Sequence, residues 1–128
     1  MTVEEWVEAY RRAWEERDAD AAAALFTEDS EYRAHTFQEP HRGQEGVHAY
    51  WTEVTATQAD VSVRMGKPFV DGERVTVEFW TAMTNDGADV TLAGCLLLRF
   101  APDGRCARLR EYWFFEPGRH APHAGWGE

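Results

Sequence analysis

The second half of the chain carries three long segments in which apolar side chains recur at every second position, each bounded by a tight-turn signal. Val75, Val77, Phe79, Thr81 and Met83 share one face of the first. Leu92, Gly94, Leu96, Leu98 and Phe100 do so in the second, and Leu109, Glu111, Trp113 and Phe115 in the third. Period two is the signature of strands with one face packed on a core. The punctuation is Asp71-Gly72, Asn85-Asp86-Gly87 and Pro102-Asp103-Gly104, and such turns connect strands as antiparallel hairpins. A chain with this pattern must build a sheet whose three rows face a common cover. The expected strands run 59–69, 74–84, 90–100 and 105–116.

Helices supply the cover. Thr2 with Glu5 three residues on is a capping box. Val3, Trp6, Val7, Tyr10, Ala13 and Trp14 follow at helical spacing as one apolar stripe. Asp18 or Asp20 can cap a short second helix through Ala21–Phe26. Glu28 and Asp29 read as a break, residues 31–36 as a first strand, and Gln38–Gly43 as a loop by its Pro and Gly. A third helix is expected over 44–57, with Val47, Tyr50, Trp51 and Val54 on one face. Helices gathered on one face of a mostly antiparallel sheet define an α+β domain. The whole chain, 1–128, reads as one domain with its core at about 2–116 and a surface tail at 117–128.

Net charge excludes some partners. With 23 acids against 13 Lys and Arg the chain carries −10, and neither nucleic acid nor an anionic membrane surface suits such a balance. No segment is apolar for long enough to span a bilayer, and the acidic N-terminus does not read as a signal peptide. Cys95 and Cys106 fall at different depths of one hairpin, which disfavours a disulfide, so a reduced cytoplasmic protein is the simpler account. The outward face of the sheet would carry Trp80, Leu97, Tyr112 and Phe114. A homodimer through that face is the expected way to cover them.

The stretches Ala24–Ser30, Glu39–Gly43 and Arg110–Trp113, in this order and spacing, make the chain resemble the nuclear-transport-factor-2-like superfamily in its SnoaL-like branch. The likeness runs from Val3 to about Phe115. It implies a curved antiparallel or mixed sheet wrapped around the N-terminal helix with two further helices, a cystatin-like cone that opens into a pocket. The fold hosts isomerases, cyclases, hydrolases, dehydratases and plain binding modules. Against ketosteroid isomerase, Tyr10 falls at the phenolic donor on the first helix. Ala34 and Leu96 fall at the positions of its general base and second carboxyl group. The Asp-Arg-Asp set of limonene-epoxide hydrolases has no counterpart.

The candidate residues follow. Glu111 alternates with Leu109 and Trp113, so it must face inward with them. Losing hydration raises a carboxyl pKa and fits it for proton transfer near neutral pH; the alternative is an internal ion pair or hydrogen-bond anchor, with His35 or an arginine as partner. Tyr10 is either a donor to a substrate oxygen or a core tyrosine. His35 is either a base turned inward by a bulge or a rim residue. Trp14, Tyr32, Trp51, Phe79, Met83 and Trp113 either line a pocket for a small apolar ligand or fill the core. His35, His41, His48, His120 and His123 show no metal-ligand spacing, and no motif points to a cofactor. The sequence supports two functions. One is a cofactor-free isomerase, cyclase, dehydratase or hydrolase acting on a small carbonyl compound; the other is a non-catalytic ligand-binding or dimerisation module.

Overall fold

The computed structural model describes all 128 residues. Helix α1 spans Val3–Glu16 and starts at the expected capping box. Thr2 Oγ1 accepts from the Glu5 amide at 3.1 Å and Glu5 Oε1 from the Thr2 amide at 2.8 Å. It ends on Arg17, whose φ of 53° breaks the helical path. Helix α2, Ala19–Ala23, is capped by the Asp18 side chain on the Ala21 amide. Helix α3 spans Gly43–Thr55. Its first residue sits at φ +68°, and a Cβ there would lie 2.8 Å from the Glu28 carbonyl oxygen. Only glycine lets the helix begin so close to the neighbouring strand.

Seven strands form one sheet: β1 Phe26–Arg33, β2 His41–Arg42, β3 Gln58–Met65, β4 Phe69–Asp71, β5 Arg74–Asn85, β6 Ala88–Phe100 and β7 Cys106–Pro117. Their order is β2-β1-β7-β6-β5-β3, with β4 also on β5. Every pairing is antiparallel except that of β1 with β7. The sheet is mixed, curved and unclosed, an α+β cone.

Three expectations need correction. The first strand begins at Phe26, not at residue 31, and passes through Glu28 and Asp29. A register shift between Phe26 and Glu31 lets both acids point to solvent without ending the pairing. The segment expected as one strand over 59–69 divides into β3 and β4 around Gly66-Lys67-Pro68, where Pro68 has no amide to donate. The Gln38–Gly43 loop contains the short strand β2.

The three apolar rows face the helices as their alternation requires. Val75, Val77, Phe79, Thr81 and Met83 are buried, as are Leu96, Leu98, Phe100 and Leu109. They form one cluster with the stripe of α1, and α3 adds Val47 and Trp51. Trp6 centres it, stacked on Tyr10 at 5.4 Å and edge-on to Phe26 and Phe100 at 5.8 and 5.3 Å. Each such pair contributes about 0.5–1.5 kcal/mol beyond the area it buries. Further along β7 the cover runs out. Glu111 is half-buried, while Trp113 and Phe115 are 37% and 53% exposed. The inner face of β7 is thus covered at Leu109 and uncovered from Trp113 onward.

On the outer face the chain's own tail takes part of the covering role expected of a second subunit. Trp80 Nε1 donates to the His120 carbonyl at 2.7 Å. Trp126 packs edge-on to Trp80 at 5.9 Å, and the Lys67 amide donates to the Gly127 carbonyl at 2.7 Å. Tyr112 and Phe114 stay uncovered, Phe114 at 84% exposure. Both cysteines are free thiols; Cys95 lies opposite Tyr112 and Cys106 opposite Phe100. No helix is long and apolar enough to cross a membrane.

Candidate active site

Four elements converge where the covered part of the inner face of β7 gives way to the uncovered part. Strand β7 brings Glu111, α1 brings Tyr10, β1 brings Tyr32 and α3 brings Tyr50. The parallel pairing that sets Tyr32 opposite Leu109 places Tyr32 two residues from Glu111 along the inner face. The Tyr10 and Tyr32 hydroxyls lie 3.5 Å apart. Tyr32 tilts against Tyr50 at 5.4 Å, and His41 stacks on Tyr50 at 4.3 Å with 27° between the planes.

The electrostatics follow from this enclosure. Burial pushes the Glu111 carboxyl up to about 7, and the Tyr32 hydroxyl beside it pulls the other way. Glu111 enters none of the molecule's ion pairs, so no cation offsets the lost hydration. Burial, and after it the Glu111 charge, holds the Tyr10 phenol well above its ordinary value. Burial raises Tyr32 as well, followed by Tyr10 and Glu111. Tyr50 is raised by burial first and Glu111 second. All three phenols therefore keep their protons at any ordinary pH and remain donors. Burial lowers the His41 imidazole, with Glu53 opposing. The arrangement is a carboxyl poised between its two forms beside neutral hydrogen-bond donors.

The sequence-derived candidates separate into two groups. Glu111, Tyr10 and Tyr32 come together. Trp113 stands on the uncovered part of that face, its Nε1 donating to the Ala34 carbonyl at 3.4 Å. His35 is exposed and lies edge-on to Trp113, with ring centres 5.9 Å apart. Trp14, Trp51, Phe79 and Met83 instead belong to the covered core and are all buried. Trp14 donates to Gln58 Oε1 at 3.0 Å and lies 5.6 Å from Phe79. Trp51 stands edge-on to Tyr10 at 5.4 Å, and its buried Nε1 has no partner.

Two members of the cluster were not singled out as site residues from the sequence. Tyr50 was legible only as one of four apolar positions on a helix face. His41 reads only as part of the Glu39–Gly43 stretch and as a histidine without metal-ligand spacing, because its short strand reads as loop.

No group of three or more His, Cys, Asp or Glu side chains is placed to hold a metal ion. A concavity of about 640 Å³ lies elsewhere, on the outer face of the sheet where arginines gather. Glu111 and the tyrosines do not line it.

Comparison with known proteins bears on the family and the fold. A search of curated proteins finds no match. Among solved structures, a Catenulispora acidiphila protein with a ketosteroid isomerase-like fold, in complex with trimethylamine, superposes with a TM-score of 0.77. It is 25% identical, over 87% of this chain and 86% of that one. SalBIII, an epoxide hydrolase/cyclase-like enzyme in pyran ring formation in the polyether salinomycin, gives 0.74 and 25%, over 87% and 89% of the two chains. An epoxide hydrolase of M. tuberculosis like limonene-epoxide hydrolase gives 0.71 at 23% identity, over 86% and 80%, a likeness of fold. Residues 7–109 match the SnoaL-like domain, and with most of its length so matched the chain belongs to the SnoaL-like family.

Proposed function

We propose that this protein is a cofactor-independent acid–base catalyst for a small, largely apolar carbonyl compound, with Glu111 as the group that moves the proton. The observation that carries the reading is Glu111 itself, a half-buried carboxyl without a cation, set among three tyrosines where the cover over β7 ends. Glu111 holds no partner among the molecule's ion pairs, and the Tyr32 hydroxyl beside it is a neutral donor that leaves the carboxyl free to change its charge.

In the proposed mechanism the substrate enters over Trp113 and Phe115 and turns its carbonyl oxygen toward the Tyr10–Tyr32 hydroxyl pair. The Glu111 carboxylate takes a proton from the carbon next to the carbonyl. The C–H electron pair moves into the C–C bond, and the carbonyl π pair moves onto oxygen. The resulting enolate accepts hydrogen bonds from the phenols, which strengthen as charge develops. From a β,γ-unsaturated substrate, protonated Glu111 returns its proton to the γ carbon and gives the conjugated isomer. From a β-hydroxy substrate the enolate pair expels the hydroxyl, which takes the Glu111 proton and leaves as water. From an epoxy ketone the enolate carbon bonds to an epoxide carbon, whose C–O bond breaks and whose oxygen takes the Glu111 proton. With a carboxyl pKa of about 7 both directions are accessible near neutral pH. His35, at the rim, would exchange protons with solvent. Trp14, Trp51, Phe79 and Met83 would support the floor of the site. The pyran-forming enzyme among the structural relatives supports ring closure as one member of this reaction class.

A second reading, a ligand-binding or dimerisation module without chemistry, is favoured by Ala34 and Leu96. Both are buried apolar residues at positions where the isomerase carries carboxyl groups. Uncovered Tyr112 and Phe114 would give such a module, or the enzyme, its homodimer contact. An intracellular, cytoplasmic location belongs to either reading.

The test is turnover of a panel of small unsaturated ketones and epoxy ketones by the parent protein and by Glu111→Gln. The catalytic reading expects conversion that falls by about 10²–10⁴-fold in the variant. Equal turnover in both removes Glu111 from the mechanism. Quenching of Trp113 fluorescence by the same compounds without conversion selects the binding module.

A further inference from the structure

The outer face of the sheet carries a second feature that the proton-transfer reading does not use. Outward-pointing positions of β5, β6 and β7 place three arginines directly opposite one another: Arg74 pairs with Arg99, and Arg99 pairs with Arg108. One step along, Arg110 of β7 lies opposite Arg33 of β1. Like charges directly opposite across a ladder are destabilising, and here the repulsion is repeated over neighbouring strands. These five arginines line the concavity of about 640 Å³, in which the acids are only Glu31 and Asp71. The molecule as a whole is the reverse, with 23 acids against 13 lysines and arginines.

The internal partners do not neutralise the row. Glu31 is shared, reaching Arg42 at 3.0 Å and Arg108 at 3.6 Å. Glu73 approaches Arg99 only to 3.7 Å, and exposed contacts of this kind are worth little. Arg33 donates to the Gln38 carbonyl. The Arg74 and Arg110 side chains enter no ion pair or hydrogen bond in the molecule. Beside the arginines lie Leu97, Phe69 and Val70, the last two 61% and 54% exposed. A volume of this size suits a small molecule, and its two linings differ in chemistry.

From this we infer that the arginine concavity is a binding site for a small phosphorylated amphiphile, its phosphate held by the arginine row and its apolar part lying on Leu97, Phe69 and Val70. Guanidinium forks match phosphate oxygens two at a time. A phosphate carries up to two charges where a carboxylate carries one, and several arginines in a row call for more than one. The overall charge of −10 repels an extended anionic membrane surface, whereas a small phosphate meets chiefly the local field of the five arginines that line the concavity.

The experiment is calorimetric titration of the whole protein at low salt with inorganic pyrophosphate and with dodecyl phosphate below its micelle concentration. Both should bind, dodecyl phosphate more tightly, and both more weakly as salt is added. Arg74→Gln and Arg110→Gln, which break no contact of the fold, should each weaken both ligands about tenfold or more. Arg12→Gln removes the same charge from the exposed side of α1 and should change neither. Glu111→Gln should also change neither, which separates this site from the Glu111 cluster. Absence of heat with both ligands at millimolar concentration overturns the inference, and a sheet-to-sheet dimer that closes the concavity would give that result. Equal weakening by Arg12→Gln, or binding lost only in Glu111→Gln, overturns it as well.

Discussion

Replacing Glu111 by Gln should make the protein more stable at neutral pH, by an amount the structure sets. The carboxyl titrates near 4.5 when hydrated and at about 7 in the fold. Below the lower value it is protonated in both states and costs nothing. Between the two the folded state binds the proton more tightly, so stability falls as pH rises, and above about 7 the loss is complete. At about 1.4 kcal/mol per pH unit the loss reaches roughly 3 kcal/mol. Gln keeps the shape and never ionises. Urea unfolding of both proteins at several values between about pH 4.5 and pH 8 should give equal stabilities at the acid end. The variant should then become more stable by roughly 3 kcal/mol at the alkaline end, with unchanged m-values. Every other titrating group is common to both proteins and cancels in the difference. Curves that stay parallel within about 0.5 kcal/mol would falsify the picture of an uncompensated carboxylate, whatever the turnover assays show. The assay needs no substrate. A variant that gains stability while losing turnover would also mark the carboxylate as kept for chemistry rather than for folding.

Other consequences follow from single contacts. Tyr32→Phe removes the hydroxyl that lowers the Glu111 pKa, so an NMR titration of the Glu111 carboxyl carbon should move to higher pH; a move to lower pH or none counts against that contact. Gly94→Ala would place a Cβ 2.0 Å from the Tyr112 carbonyl oxygen and 2.7 Å from the Trp113 Cα. It should cost about 3 kcal/mol or more in urea unfolding, or prevent folding, since backbone must move; a loss under about 1 kcal/mol means that β6 and β7 separate easily. Trp126→Ala removes the contact on Trp80, and limited proteolysis should then cut the tail after Pro117 faster while the sheet stays intact. Thr2→Ala dismantles the capping box and should lower stability by about 1 kcal/mol in the same unfolding assay.

The parts of this fold that could be read in the sequence are those specified by local rules. Period-two rows between Asp-Gly and Pro-Asp-Gly turns fix β5, β6 and β7 with their inward faces, and Thr2 with Glu5 fixes the start of α1. What escaped was decided by distant partners. Glu28 and Asp29 read as a break because a pair of acids seldom continues a strand; the bulge opposite β7 is what tolerates them. Nothing near Tyr32 says that its strand will lie parallel to β7, yet that pairing brings Tyr32 to Glu111 and sets Arg33 opposite Arg110. The inward direction of Glu111 was legible by alternation alone. The difference between a side chain that lines an opening and one that fills a core was not. Trp14, Trp51, Phe79 and Met83 satisfy the same apolar pattern as Trp113, and only the length of the helices over each row decides which are covered.

Strand β7 lies between β6, its neighbour in the chain, and β1, from which more than seventy residues separate it. During synthesis α1, α2 and β1 emerge first and find no strand for β1 to join beyond the two-residue β2. The hairpins of β3 to β6 can assemble in the meantime, but the two halves have no shared hydrogen-bonded ladder until residues 106–117 appear. Closure of such a distant pairing carries the loop entropy that slows folding. Glu111 sits on that last-arriving strand, so the proposed proton carrier is put in place by the same event that joins the two halves of the molecule.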